Sequence, residues 1–431
     1  MMTKEPYWHS VRLERDFCKG CTTCLKQCPT QAIRVQNGKA KILKERCIDC
    51  GECIRVCPYH AKKAVTDGFD KLSDYTYTIA LVAPAFLGQF SKTEDCDLIL
   101  TSLLYLGFDD VYEVARGAQE ISKETRELLK GGELMTPCIS SACPAVSRLI
   151  AVRFPNLIHH IIPLRSPMEL SAEAARREAV EKTGLKPEEI GVFFISPCAA
   201  KATAVKDGVT VKETHVSGVI AMKDVYLRLA QKISTIQEVK HLSSAGSIGT
   251  LWATSGGEAS ASGTKRWISV DGIDNVIRVL EDMEDDKLTD IEYVEALACP
   301  GGCVGGPLTA ENNFVARSRI NRICETLPEE CGGIHQEIPR AWDGAPVYRP
   351  VMKLNENLET AMQMAMEMED ILERLPGLDC GSCGSPNCRT LAEDIVRGYA
   401  EETDCIFVTR ERLRELLRHV SEHHIELPNQ D

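Results

Sequence analysis

The sequence has few aromatic residues, no long apolar run and no excess of positive charge. Aromatic side chains make up 6% of its 431 residues, and no stretch reaches the ~18 consecutive apolar residues of a membrane span. The first residues show no apolar core preceded by positive charge, so we expect a soluble, cytoplasmic protein. The formal net charge of −13 would repel phosphate backbones, which argues against nucleic acid as a partner.

Cysteine, in contrast, is abundant. The chain has 20 cysteines, and in a reducing compartment these are expected to ligate metals or to act in catalysis rather than to form disulfides. A chain of 431 residues with 44% hydrophobic residues can form two or three domains that each bury a core. The cysteine positions divide the chain into three blocks.

The first block contains the pattern Cys-x2-Cys-x2-Cys-x3-Cys-Pro twice. Three cysteines in a tight loop can bind three corners of a 4Fe-4S cube, while the cysteine before proline reaches the other cube. The alternative, a pair of zinc sites, uses separated Cys-x2-Cys pairs. Residues 10–65 resemble a two-cluster bacterial ferredoxin, and Asn37-Gly38 predicts a β-hairpin between the repeats. The expected ligand sets are Cys18, Cys21, Cys24 and Cys57 for one cluster and Cys47, Cys50, Cys53 and Cys28 for the other.

The third block places four cysteines near the C-terminus, and they are Cys380, Cys383, Cys388 and Cys405. A glycine-rich loop with a fourth cysteine returned by a helix can supply four thiolates to one cube, although zinc remains an alternative. The block resembles the single-cluster 4Fe-4S domain of Rnf-type complexes and corrinoid iron–sulfur proteins. A methionine-rich stretch before it predicts a connecting helix. In the last predicted helix one stripe contains Leu413, Leu416, Leu417 and Val420, and we expect it to pack onto this chain.

The middle block alternates apolar runs with helical patterns, which predicts α/β layers with largely parallel strands. The apolar runs include 77–86, 190–198 and 274–280, which we interpret as strands. Loops at the carboxyl ends of such strands meet at one edge of a sheet. Cysteines follow several of these runs, and Cys299 and Cys303 stand in a glycine-rich segment that could give two thiolates to one metal assembly. The residues alone thus predict a buried, cysteine-ligated metal site in an α/β domain.

Three cysteine-containing segments stand out in this block: SSACP at 140–144, SPCAAK at 196–201 and EALACPGGC at 295–303. Together they resemble the iron–iron (FeFe) hydrogenases. They follow the order and spacing of the family motifs TSCCP, MPCxxK and ExMxCxxGC. The resemblance extends to 82–85, 165–167 and 254–257, and therefore covers the whole middle block.

The resemblance implies a cofactor and a reaction. It implies that Lys201 donates a hydrogen bond to a cyanide ligand and that Cys303 bridges a 4Fe-4S cube to a two-iron unit with CO, cyanide and azadithiolate. The implied reaction is the reversible splitting of H2 into two protons and two electrons, with the ferredoxin clusters as the electron exit. The implied cube ligands are Cys143, Cys198, Cys299 and Cys303, and the implied neighbours of the cofactor are Ala83, Pro84, Ser166, Pro167, Ser196 and Leu297.

The sequence also departs from the family. Ala142 stands where catalytic members carry the cysteine that relays protons, and a methyl group cannot carry a proton. Other departures alter the surroundings of the cofactor, at Met168, Ser196, Ala204 and Leu297. The set resembles sensory or otherwise divergent members. Cys138 and Glu258 are candidates for proton transfer, although the simpler interpretations are a small apolar residue and a surface carboxylate.

We therefore predict an α/β multidomain protein with an α+β ferredoxin-like domain at 1–75, an H-cluster domain at 76–350 and a small helical 4Fe-4S domain at 351–431. The preferred function is low-turnover H2 sensing with reversible H2 oxidation. The alternatives are a bidirectional ferredoxin hydrogenase with a non-standard proton route, a non-catalytic hydrogenase-like iron–sulfur protein and a plain electron carrier. Expected partners are a redox protein such as ferredoxin or a signalling partner, maturation enzymes and a second copy of the chain.

Overall fold

The computed structural model describes residues 8–208, 211–330 and 332–422. In these residues the strands are β1 Val11–Leu13, β2 Ile33–Gln36, β3 Lys39–Ile42, β4 Lys62–Ala64, β5 Tyr77–Val82, β6 Asp110–Glu113, β7 Cys138–Ile139, β8 Ile190–Ser196, β9 Gly218–Ala221, β10 Trp267–Asp271 and β11 Tyr293–Leu297. The predicted runs at 77–86 and 190–198 contain β5 and β8, and Pro84–Gln89 forms a 3-10 helix after the first of these strands.

The α-helices are α1 Thr23–Lys26, α2 Glu52–Arg55, α3 Cys96–Leu104, α4 Val114–Gly131, α5 Pro144–Arg153, α6 Pro167–Thr183, α7 Ala199–Lys206, α8 Met222–Leu229, α9 Ser247–Leu251, α10 Gly257–Ser260, α11 Ile273–Glu284, α12 Asn313–Thr326, α13 Leu358–Arg374, α14 Cys388–Val396 and α15 Ile406–Glu422. None of these helices in the described part of the chain has the length and apolar character that a bilayer crossing requires.

One predicted strand is wrong. The run at 274–280 lies in helix α11. Its buried side chains are Ile273, Val276, Leu280 and Met283, at the three- and four-residue intervals of a helical face, whereas a strand would bury alternate residues. The apolar residues of this short run fit both a strand and a helix, and the positions buried in the structure are those of a helix.

The chain divides into two units. Unit 1 contains the residues up to Arg12, Ile48–Gly51 and Lys63–Arg349. Unit 2 contains Leu13–Cys47, Glu52–Lys62 and the chain from Pro350. The three-domain division of the sequence stays a prediction.

Unit 1 is built on two parallel sheets, with the strand orders β6-β5-β8-β9 and β10-β11-β7. Every residue of β8 is buried, as expected for a strand that is covered by helices on both faces of a parallel sheet. The same core contains Leu81 of β5 and Leu100 of α3, which are 0% exposed. This arrangement confirms the predicted α/β fold.

Unit 2 contains the ferredoxin-like segment and the C-terminal helices. Strands β2 and β3 form an antiparallel hairpin, and its turn residues Asn37 and Gly38 have φ of 50° and 68°, as the Asn-Gly signal predicts. Helices α13 and α14 pack through a small core that includes Met368, Ile371 and Leu391. The leucine stripe of α15 does not pack onto the described part of the chain, because Leu413, Leu416 and Leu417 are 54–63% exposed. That expectation was wrong.

Candidate metal centre

The carboxyl ends of three parallel strands of unit 1 open onto one buried cavity. Val82 of β5 pairs with Ile195 of β8, so Ala83 and Pro197 follow at the same edge of the sheet. The cavity has a volume of about 90 Å³. The predicted site residues in its wall are Ala83, Pro84, Ala142, Cys143, Pro167, Cys198, Lys201, Leu297, Cys299 and Cys303.

Two of these cysteines stand at helix N-termini. Cys143 is the N-cap of α5, whose first residue is Pro144, and Cys198 is the N-cap of α7. Proline is favoured at the first helical position because it has no N–H to leave unpaired. The backbone amides of Ala200 and Lys201 act against the rise in the pKa of the Cys198 thiol. The N-terminus of α7 thus favours negative charge on the Cys198 sulfur.

The glycines of the Cys299–Cys303 segment allow its close packing. Gly301 and Gly302 have φ of 77° and 94°, which is the left-handed region that favours glycine. A Cβ on Gly302 would lie 2.7 Å from the amide nitrogen of Ser255, and one on Gly306 would lie 2.2 Å from the carbonyl oxygen of Pro197. Any larger residue would push the segment away from the cavity.

The thiols of this centre lie close enough to affect one another. Burial raises the pKa of Cys198 to about 11, and the Cys143 sulfur contributes to the rise. Burial also raises the pKa of Cys303 to about 12, with further contributions from Cys198 and Cys143. Such thiols become thiolates only when a cation compensates their charge. The sulfur donors, the apolar wall and the N–H groups therefore fit an iron–sulfur assembly.

Two predicted neighbours of the cofactor lie outside the cavity wall. Ser196 is fully buried, and its hydroxyl accepts a 3.1 Å hydrogen bond from the Cys198 amide while it donates to the Cys198 carbonyl at 2.9 Å. Ser166 caps α6. It lines a second, water-sized cavity of about 20 Å³ together with Ala142, Glu169 and Lys201. These serines are placed to orient their neighbours.

Glu258 is buried and lines the main cavity. Its carboxylate accepts hydrogen bonds from the hydroxyls of Ser140, at 2.7 Å, and Tyr293, at 2.6 Å. Burial raises the pKa of Glu258 to about 7, although these hydrogen bonds and the charge of Lys201 oppose the rise. The interpretation of Glu258 as a surface carboxylate was wrong.

A second buried carboxyl lies near Glu258. Glu295 accepts hydrogen bonds from the amides of Gly256 and Ala259, at 3.0 and 3.1 Å. Burial raises its pKa to about 8, and the charge of Glu258 adds to the rise. Because side chains alternate along a strand, Tyr293 and Glu295 of β11 share one face. That alternation is the sequence signal that could have placed Tyr293 and Glu295 on one face of β11.

Cys138 lies opposite Tyr293 in the pairing of β7 with β11. Its side chain is 1% exposed and does not line the cavity. Burial raises its pKa to about 12, and Glu258 contributes. At neutral pH Cys138 is thus a neutral thiol behind Glu258.

The loop around Cys50 belongs to unit 1. Asp49 is buried and accepts a hydrogen bond from the amide of Val11 at 3.0 Å, and its carboxylate lies 3.5 Å from the guanidinium of Arg148. A Cβ on Gly51 would lie 2.4 Å from Cγ of Pro307, which follows the Cys303 segment. The predicted ligand Cys50 is thereby held beside the loop of the predicted ligand Cys303.

Unit 2 contains two further groups of cysteines. Cys18, Cys21, Cys24 and Cys57 line a small cavity of about 10 Å³. The amides of Ala40 and Ala61 donate to the sulfurs of Cys18 and Cys57, at 3.4 and 3.3 Å, as is common around iron–sulfur clusters. In the C-terminal group, burial raises the pKa of Cys383, and the sulfurs of Cys380 and Cys405 contribute, so the three lie near one another. The fourth member of that group, Cys388, is buried.

The sequence matches models of known families. The model for the C-terminal domain of the iron only hydrogenase large subunit matches 76–267 and 226–307, which together exceed half of the chain. A 4Fe-4S dicluster domain model matches 10–58, and a model for an Fe-S cluster domain matches 375–407.

Two curated relatives are hydrogenases. The periplasmic Fe hydrogenase large subunit of Nitratidesulfovibrio vulgaris is 29% identical over 212 residues, which cover 45% of this chain and 50% of the relative. Iron hydrogenase 1 of Clostridium pasteurianum is 28% identical over 106 residues, which cover 24% of this chain and 18% of the relative. The chain thus spans half or less of the length of these relatives.

Among solved structures, a single-residue variant of the FeFe-hydrogenase HydA1 from Chlamydomonas reinhardtii is similar, with a TM-score of 0.51 and 15% identity. The match covers 66% of this chain and 98% of that chain. At this identity the similarity shows the fold. The family match, the dicluster match and this fold agree: the chain is a hydrogenase-like iron–sulfur protein that belongs to the iron-only (FeFe) hydrogenase family.

Proposed function

We propose that this protein splits H2 reversibly into two protons and two electrons at a low rate and serves in H2 sensing. One observation carries the proposal: cysteines on separate loops and Lys201 line a single apolar cavity, and the residue in its wall at the relay position is Ala142. The cysteines favour the cofactor of the family, and Ala142 favours slow proton transfer.

The proposed ligands of the 4Fe-4S cube are Cys143, Cys198, Cys299 and Cys303, and Cys303 would also hold the two-iron unit with CO, cyanide and azadithiolate. When bound, that unit supplies the chemistry that breaks the H–H bond. Lys201 would donate to a cyanide, a charge-assisted hydrogen bond that is strengthened by the apolar wall. Phe194, Leu297 and Trp252 in the wall would exclude water.

Glu258 is the proposed proton acceptor and donor in place of the missing thiol. It lines the same cavity as Ala142, and it is hydrogen-bonded to Ser140 and Tyr293, with Glu295 nearby. A carboxyl whose pKa is about 7 can both take up and release protons at neutral pH. This route supports the alternative of a bidirectional hydrogenase, and the two functions then differ in their rate.

Electrons would leave through three further 4Fe-4S clusters. Their proposed ligands are Cys18, Cys21, Cys24 and Cys57 for the first, Cys28, Cys47, Cys50 and Cys53 for the second, and Cys380, Cys383, Cys388 and Cys405 for the third. The Cys50 loop beside Pro307 supports such an exit. The proposed partner is a redox or signalling protein of the cytoplasm.

Infrared spectroscopy tests the cofactor directly. Protein matured without oxygen by the hydrogenase maturation enzymes is expected to show CO and cyanide stretching bands, and Lys201→Met is expected to shift the cyanide bands because it removes the donated hydrogen bond. Protein produced without the maturation enzymes is the control. Matured wild-type protein that lacks these bands would refute the proposed function.

A second prediction concerns Ala142, which lines both cavities. A thiol at this position would stand between the main cavity and the polar side chains of the second one. We expect Ala142→Cys to raise dye-linked H2 uptake at least ~10-fold, since a positioned acid–base group contributes roughly 10²–10⁴-fold. Ala142→Ser, which is similar in size but does not titrate near neutrality, is the control. The sensor proposal fails if the wild type already turns over as fast as Ala142→Cys.

A third prediction concerns Glu258. Oxidation of H2 requires a proton acceptor, so the rate of dye-linked H2 uptake by the wild type should rise with pH as Glu258 ionises near pH 7. Glu258→Gln should lower this rate about 10²-fold and remove its rise with pH. The other ionisable groups around Glu258 are Cys138, Lys201, Tyr293 and Glu295.

The folded state should respond as well. Because the pKa of Glu258 is raised on folding, its contribution to stability is present at low pH and is lost as pH rises through about 7. Glutamine at this position stays neutral, so the melting temperature of Glu258→Gln should rise relative to that of the wild type as pH increases from 5 to 8. Glu127→Gln, at an exposed helix position, is the control. If both variants follow the wild-type pH profile, Glu258 is not the group that titrates.

A further inference from the structure

The proposed function names the C-terminal cysteine module, residues 375–407, as an electron exit but does not say with which cluster it exchanges electrons. We propose that this module is docked in a fixed position beside the Cys18 cluster site, which is formed by Cys18, Cys21, Cys24 and Cys57, and that its cluster exchanges electrons directly with the cluster there. The inference rests on the cluster assignments of the proposed function and does not depend on the two-iron unit. All residues concerned belong to unit 2.

The first contact joins strand β2 to the loop after Cys383. The amide of Val35 donates to the carbonyl of Gly384 at 2.8 Å. Gly384 has a φ of 87°, and a Cβ there would lie 1.9 Å from the Val35 carbonyl oxygen, so only glycine permits this approach. Val35 also lines the cavity of the Cys18 cluster site. The wall of that cavity is therefore joined to Gly384, the residue after Cys383, through Val35 and its hydrogen bond.

A second contact joins the segment after Cys24 to the loop after Cys380. A Cβ on Gly381 would lie 3.0 Å from Cε of Lys26 and 3.5 Å from Cδ1 of Leu25. Leu25 is fully buried and follows Cys24 directly. A cysteine of each cluster site is thus one residue away from the same contact.

Buried ion pairs fix this arrangement. The guanidinium of Arg34 donates twice to Asp394, with the Nη2 contact at 3.0 Å, and the two residues are 4% and 6% exposed. The hydroxyl of Ser385 donates to the same carboxylate at 2.8 Å. Arg46 donates to Glu393 in a further pair. Buried charges hold only in a geometry that keeps each of them paired, so they specify one position of the module.

An electron that arrives at the Cys18 cluster site can therefore pass on inside unit 2. The transfer moves one electron: the cluster that gives it is oxidised by one and the cluster that receives it is reduced by one, and no bond is made or broken. The electron comes from H2 in the proposed reaction, or from an added reductant. The docked module then provides an exit for electrons from the ferredoxin-like segment.

Electron paramagnetic resonance of the reduced protein tests the proposal. The full chain is produced without maturation enzymes and reduced with dithionite. Cys405→Ser removes a ligand of the C-terminal cluster, and we expect the remaining cluster signals to become narrower and slower in relaxation, because a neighbouring spin is lost. Asp394→Ala and Gly384→Leu should produce the same loss of interaction at unchanged iron content. The control is Arg389→Ala, which changes a residue of α14, the helix of Asp394, and breaks an exposed pair with Glu369 of α13; it should leave the wild-type spectrum unchanged.

Unchanged signals in Cys405→Ser would overturn the proposal, as would an Asp394→Ala protein that retains full iron and the wild-type interaction. If Asp394→Ala loses iron, the comparison with Cys405→Ser decides. The outcome is independent of the proposed function, because a matured protein without CO and cyanide bands would leave this spectrum as it is.

Discussion

The constraint on which unit 1 depends is the burial of several sulfur atoms in one apolar cavity. Burial raises the pKa of Cys198 and of Cys303. Neighbouring sulfurs add to the rise, since Cys143 acts on Cys198, and both of these act on Cys303. Without a cation, the stable form of these cysteines is the neutral thiol, packed against the apolar wall. A metal assembly reverses the balance, since its positive charge makes close thiolates favourable. The folded chain is therefore a preformed set of donors.

The remainder of unit 1 serves to bring those donors together. Two parallel sheets place their carboxyl ends at one cavity, and glycines at 302 and 306 let a third loop approach within the space that a methyl group would fill. Cys143 and Cys198 then stand at helix N-termini, where the aligned peptide dipoles favour negative charge. Each device acts on the backbone, so the positions of the ligands depend on the sheets and loops rather than on long side chains.

Short-range patterns predicted the parts of the molecule that depend on spacing. Cysteine spacing predicted which residues line the Cys18 cavity, and Asn37-Gly38 predicted the hairpin, because both depend on a few consecutive residues. The burial of Glu258 could not be predicted, since it arises from Ser140 and Tyr293, which are 118 and 35 residues away. The run at 274–280 was misread because a short apolar segment fits both periods. The inclusion of the C-terminal module in unit 2 depends on pairs such as Arg34 with Asp394, 360 residues apart.

Protons and electrons meet different conditions in this molecule. A proton moves only between groups within hydrogen-bonding distance, so the proposed function expects the methyl group of Ala142 to interrupt a route that a thiol would complete. Glu258 is hydrogen-bonded to Ser140 and Tyr293, and those bonds hold its carboxylate in place. Electrons need no such mobile group, and the backbone contacts of Gly51 with Pro307 in unit 1 and of Gly384 with Val35 in unit 2 bring cysteine loops together without any titratable atom. Under the proposed function, such a chain would report a redox state, because its output would depend on the electron occupancy of the clusters more than on the number of turnovers.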